Sequence, residues 1–290
     1  GTNWSGGGVP PAADSPVILA SAPNQPVLTA GVTVTNLTIQ PGATVDIGTN
    51  NLVITGSLDD GGVINGAGRA TVALAGAGQF ARGAINATTT VSGSYALNGR
   101  LSVTNSFSVN GGGASLTLNG NTAEVINFTA GVGGLLVMLN GLDSLIVSGD
   151  AILDGGSTAG LLTAGTVVVS GDFVQTNTNS TTSYAPSGSH TTVFAPTVAG
   201  HTIAFNTPGA GASQFQFLRV AGTAPVTLNT SVRVGADVVV SQGDLTIGGK
   251  TLTVIGAFQT TGSGSFTEAS PTDSVLVTGA GIFGGGSTSG

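Results

Sequence analysis

The stretch VSGDAILDGGSTAGLLTAGTVVVSGDFV, residues 147–174, opens and closes on one phrase. Val147-Ser-Gly-Asp-Ala is followed 22 residues later by Val169-Ser-Gly-Asp-Phe. The same form, an aliphatic residue with Gly or Asn two places on and an apolar residue beyond, recurs along the chain. It stands at Val34-Thr-Asn36-Leu37, Ile54-Thr-Gly56-Ser-Leu58 and Val103-Thr-Asn105-Ser-Phe107, and in shortened form at Val125-Ile-Asn127-Phe128. Later copies begin at Val234, Val254 and Val277. The steps are 20 between 34 and 54, 22 through 103, 125, 147 and 169, then 20 and 23 from 234 to 277. A constant step of this size is the mark of a solenoid coil. Gly or Asn at the third position is expected to serve a corner, because those residues tolerate positive φ.

Between the phrases the pattern is that of strands. Val226/Leu228, Val232/Val234, Val238/Val240, Leu245/Ile247 and Leu252/Val254 are i, i+2 pairs, so the two members of each face the same side. Successive pairs start 6 or 7 residues apart, which fits three short strands and three corners per coil. The predicted fold is all-β: a single-stranded parallel β-helix, or β-solenoid, with coils of about 20–23 residues. A longer repeat is superimposed on the coil. Residues 143–160 return as 273–290, and Leu116-Thr-Leu118 returns as Leu245-Thr-Ile247. This gives a module of about 130 residues, present once in full and once in part. The second copy stops where the first continues into another coil, so the chain is expected to be a piece of a longer array.

Residues 1–30 are expected to form an N-terminal cap and 31–290 the solenoid. Five of the 11 prolines and the only tryptophan fall in the first 26 residues. Proline blocks edge pairing, and an exposed strand edge at the end of a stack recruits other chains. Trp4, Pro10 and Pro11 are the capping candidates. The tract QTNTNSTTSYAPSGSHTT, 175–192, is the longest polar run. It is expected to leave the rod as a loop, with Gln175, Tyr184 and His190 available for interaction.

Composition narrows the function. Charged residues make up 7% of the chain, with 6 basic residues and a net charge of −7, so no clustered cationic face for nucleic acid is available. There is no cysteine, hence no disulfide, thiolate nucleophile or Cys-ligated zinc. Apolar runs are short and broken by Gly or Asn, so no membrane span is expected. Asp46, Glu124 and Arg233 point outward, but their counterparts in other copies are uncharged. No catalytic residue is nominated, and the chain is expected not to be an enzyme. The sharpest local candidate is Asp150 with Asp172. They follow Ser-Gly at one corner 22 residues apart and should stack roughly 5 Å apart. Two carboxylates at that distance suit Ca²⁺, and they suit equally an Asp that accepts turn amides. No other cofactor is implied.

The corner motif and the pattern N-W-S-x-x-x-V-P-x-x-x-D-S-P-V-I-L at residues 3–19 resemble large bacterial exported and cell-surface repeat proteins. Adhesins and autotransporter passengers, with right-handed parallel β-helix arrays, are of this kind. The resemblance implies an extracellular or cell-surface location. It implies a structural or adhesive rod, able to polymerise end to end, with further modules of the same chain, identical subunits or surface glycans as partners. Two alternatives differ in kind: a carbohydrate-binding or polysaccharide-processing β-helix, and an ice-binding solenoid. The first would show aligned acids and bases across several coils, the second one flat threonine face.

Overall fold

The computed structural model describes residues 11–283 and 288–289. No helix is found among them, and every strand pairing is parallel. The chain winds as a β-solenoid of about 13 turns. Most turns lay one short strand on each of three faces; between Leu135–Val137 and Val232–Val234 the second face carries only the bridges Met138↔Leu162 and Phe215↔Val234. The first face runs from Val32–Val34 through Asn51–Ile54 and Thr71–Leu74 to Thr288–Ser289. Its thirteen rungs are joined in one unbroken ladder. At the spacing of paired strands this ladder is ~58 Å long. The second and third faces run beside it, as at Val232–Val234, Thr251–Val254 and Ser274–Val277 on the second.

Alternation explains the core. All ten residues of the five i, i+2 pairs between Val226 and Val254 are buried, and the pairs fall on successive faces. In-register pairing stacks like on like. Val103, Val125, Val147 and Val169 form one column of the third face, continued by Phe194, Val220 and Val240. Each side chain buries its apolar surface on the rung above and below, so no coil is stable alone.

The repeated phrases keep their register but not their edge. Val34 pairs with Ile54 at the corner between the first and second faces. The 103–169 series turns from third face to first, and Val234, Val254 and Val277 turn from second to third. The 130-residue repeat behaves likewise, because Ser144–Val147 lies on the third face and Ser274–Val277 on the second. The repeat carries its local structure with it. Asp143 accepts N–H groups from Gly120 (2.5 Å) and Asn140 (2.9 Å). Asp273 accepts the corresponding groups from Gly249 and from Ser270 (2.9 Å).

Regular pairing begins earlier than residue 31. Val17–Ile18 pairs with Leu37–Ile39, Val27 bridges to Asp46, and Ile18 and Leu28 are buried. The carbonyls of Pro16 and Pro26 accept from Thr38 (3.0 Å) and Asp46 (2.9 Å) on the rung above. Trp4 and Pro10 lie outside the described residues. Pro11 accepts the Asp14 N–H (2.9 Å) and so closes a turn ahead of the first strand.

One coil is much longer than the rest. Phe173 pairs with Ile203, a step of 30 residues. The extra chain is 175–192, and it does not leave the rod as its polarity predicts. Gln175 is 1% exposed, and Tyr184 and His190 are 0% exposed. The wider coil needs more filling, and aromatic rings supply it. Phe173 meets Tyr184, Phe194, Phe205 and Phe215 at centroid distances of 5.0–5.9 Å. Its truncation, Phe173→Ala, is expected to cost about 3–5 kcal/mol in denaturant unfolding, since four rings cannot collapse onto the vacated volume together.

Candidate functional site

The corners are built from two residues acting between rungs. Asn36 Oδ1 accepts the Ser57 N–H (2.7 Å), Asn127 that of Asp150 (3.0 Å), and Asp237 that of Ala257 (2.8 Å). The residue before each donor is glycine: Gly56, Gly149 and Gly256. A Cβ on any of these would fall on the Oδ1 atom beneath. None of the three has positive φ. The corner glycine is therefore required by close approach, where the sequence suggested backbone handedness. It vacates the space into which the lower side chain rises to cap the next amide.

At the edge between the third and first faces this device extends into a column. Asn127 caps Asp150, Asp150 Oδ1 caps Asp172 N (2.8 Å), and Asp172 Oδ1 caps Thr202 N (2.7 Å). Above Thr202, Thr227, Thr246 and Thr267 continue in register. The column crosses seven rungs. Asp150 and Asp172 are thus brought together as expected, and both act as amide caps. The structure adds His201, whose Nδ1 is 3.5 Å from Asp172 Oδ1. One donor atom from each of Asp150, Asp172 and His201 lies within 4.8 Å of the others. Sequence spacing could not place His201, because the coil that delivers it is eight residues longer than the regular step of 22.

Other charged residues, Asp46, Glu124 and Arg233 among them, are spread over different rungs. Arg82 pairs with Asp59 at 2.5 Å, Arg100 pairs with Glu124, and Arg233 donates to Gln214. Asp46 accepts the N–H of Gly48 within its own turn (2.8 Å). Asp244 is held by the hydroxyls of Thr246, Ser265 and Thr267 (2.6–2.9 Å), beside a shallow depression lined by Thr223, Gln242 and Ser263.

The three residues expected to interact outward instead form an internal polar network. Tyr184 Oη lies 2.7 Å from Thr192 Oγ1 and 3.2 Å from His190 Nε2. His190 Nδ1–H donates to the Ala164 carbonyl (2.9 Å). Gln175 Nε2 donates to Ser183 Oγ (2.8 Å). Burial pushes the His190 pKa down to about 4, against the carbonyl hydrogen bond and the Asp143 charge. Burial likewise pushes the Asp60 carboxyl up to about 6.

No protein-family model, curated protein or solved structure matches the chain. No helix among the described residues is long and apolar enough to cross a membrane.

Two measurements check this description. In a double-mutant cycle, Gly149→Ala is expected to cost about 1–3 kcal/mol alone and measurably less in an Asn127→Ala background, since the nearer clashing oxygen is then gone and only the Ile126 carbonyl, at 2.9 Å, remains. The second is a pH series. As pH falls from the unfolded value of 6.5 toward 4, the unfolded chain binds a proton that native His190 refuses, so stability falls. Asp60 acts oppositely, because the native chain takes up its proton near pH 6 and the unfolded chain only near 3.8. Subtracting His190→Gln from the parent isolates the histidine. The parent's advantage should shrink by about 2–3 kcal/mol between pH 7 and pH 4 in urea unfolding.

Proposed function

We propose that the chain is a non-catalytic structural rod, a segment of an extracellular bacterial surface or fibre protein of the adhesin or autotransporter-passenger kind. The observation that carries this reading is the thirteen-rung ladder with its column of Asn, Asp and Thr along one edge. A parallel stack of this length holds nearly every strand amide in a hydrogen bond, and its rungs are capped by Asn, Asp and Thr rather than by mobile charges. Such a stack has two ends whose strand edges suit further coils of the same kind, and sides that present hydroxyls and amides. Its partners are accordingly further modules, identical subunits or surface glycans.

The outward charges support the same reading. Acid–base cleavage of a glycosidic bond needs two carboxylates facing one bond across a groove. Here Asp59 and Glu124 are each paired to an arginine of a neighbouring rung, and Asp150 and Asp172 are committed to backbone amides.

Limited proteolysis and a turnover assay test the proposal together. Protease needs a locally unfolded stretch, which a continuous ladder denies it. Of the six basic residues, Arg69 and Lys250 lie outside strands. Native protein should therefore resist trypsin for hours, with any nick confined to those two. Incubation with pectin, alginate and hyaluronan should release neither reducing ends nor unsaturated products. Turnover of any of these polymers, or rapid digestion at Arg100, Arg219 or Arg233, would contradict the rod.

A further inference from the structure

We propose that Asp150, Asp172 and His201 form a binding site for one divalent first-row transition cation, Zn²⁺ being the best fit, which pins shut the mouth of the longest coil. This goes beyond the rod reading and does not depend on it.

Three observations meet at this place. The first is the donor set. Two carboxylates and one imidazole, from three consecutive rungs, bring their donor atoms within 4.8 Å of one another. A cation ~2.1 Å from each donor draws the atoms to between ~3 and ~4.2 Å, within the reach of small side-chain rotations. The second is the valence left free. Each carboxylate uses Oδ1 to cap an amide, and among the described residues no hydrogen bond reaches either Oδ2. Among the described residues His201 Nε2 is likewise without a partner, and its side chain is 24% exposed, which leaves room for water to complete the shell.

The third is charge. Asp150 and Asp172 stack on adjacent rungs, and among the described residues neither forms an ion pair with lysine or arginine. Elsewhere on the rod, Asp59 and Glu124 each have an arginine. Stacked like charges repel, and a bound dication reverses the sign of that interaction.

The imidazole decides the metal class. Ca²⁺ takes six to eight oxygens and gains little from a nitrogen, so the calcium suggested by the two aspartates alone is not the best occupant. A mixed N,O₂ set with open positions for water favours Zn²⁺ and its neighbours in the first transition row.

The position gives the site a purpose. Asp172 directly precedes the 30-residue coil, and His201 stands at its end. Closing a longer loop costs more entropy. A cross-link between the two ends, anchored below on Asp150, would hold Thr202 on its cap and keep the wide coil in register.

The test uses chelator-treated protein of the full chain, with ZnCl₂, CoCl₂ and CaCl₂ as probes. Calorimetry should show one Zn²⁺ per chain at micromolar or tighter affinity. The melting temperature should rise by on the order of 3–6 °C with saturating Zn²⁺. Amides in 176–200 should exchange more slowly when Zn²⁺ is bound. Co²⁺ should give the visible bands of a four- or five-coordinate centre, and CaCl₂ should change nothing.

His201→Gln and Asp172→Asn each should lose at least about tenfold in affinity. Asp172→Asn keeps the oxygen that caps Thr202, so folding is preserved. Asp237→Asn, a corner without a histidine, should bind like the parent. Absence of stoichiometric Zn²⁺ binding to the folded parent overturns the proposal. So does Zn²⁺ binding that both His201→Gln and Asp172→Asn retain in full, and so does a stabilisation produced by Ca²⁺ and Zn²⁺ alike.

Discussion

Everything in this molecule depends on the seating of one rung on the next. A strand of three or four residues is too short to persist alone, and a three-strand coil cannot hide its apolar face. What makes the stack cohere is that both demands are met by the same neighbour. Val147 pairs its backbone with Val125 below and Val169 above while packing its side chain between theirs. The corners impose the strictest condition, because there the chain changes direction without a regular ladder. Pairing Asn or Asp below with Gly above answers it, since the lower side chain needs the volume that the missing Cβ leaves.

The long coil shows how far this condition can be stretched. Eight extra residues enlarge the cross-section between Phe173 and Ile203, and five aromatic rings fill it. The polar part of the insertion is accommodated by internal pairing. Tyr184, His190, Thr192, Gln175 and Ser183 satisfy one another or backbone carbonyls, at the expense of a histidine held neutral. Buried networks of this sort tolerate little imperfection. The coil therefore holds a buried polar network that loses stability in acid through His190, and its two ends meet where Asp172 caps Thr202.

Much of the architecture was legible in the sequence because a solenoid writes its geometry as spacing. The 22-residue step placed Val103, Val125, Val147 and Val169 in one column, and the i, i+2 pairs named buried positions without error. What spacing could not show was azimuth. The phrase at Val34 and the phrase at Val147 look alike yet occupy different edges of the triangle, because every edge poses the same corner problem. The corner glycines were assigned to positive φ, whereas their role is steric and inter-rung, a relation between residues about 20 apart that no local rule contains. The tract 175–192 misled through composition. Ser, Thr and Asn mark a solvated loop only when they lack one another as partners, and here Ser183 and Thr192 find theirs in Gln175 and Tyr184. His201 escaped for the same reason, since the insertion breaks the step by which its neighbours were found.

The most direct test of the stacked architecture is a distance along its axis. The chain contains no cysteine, so Thr33→Cys and Thr267→Cys provide unique sites for spin labels on the first face, eleven rungs apart. Pulsed dipolar spectroscopy should return a single narrow distribution near ~53 Å, the product of rung number and strand spacing. A separation below about 35 Å, the scale of a folded domain of a hundred or so residues, would mean that the strands pack as compact sandwiches, and the ladder on which the whole description rests would be wrong.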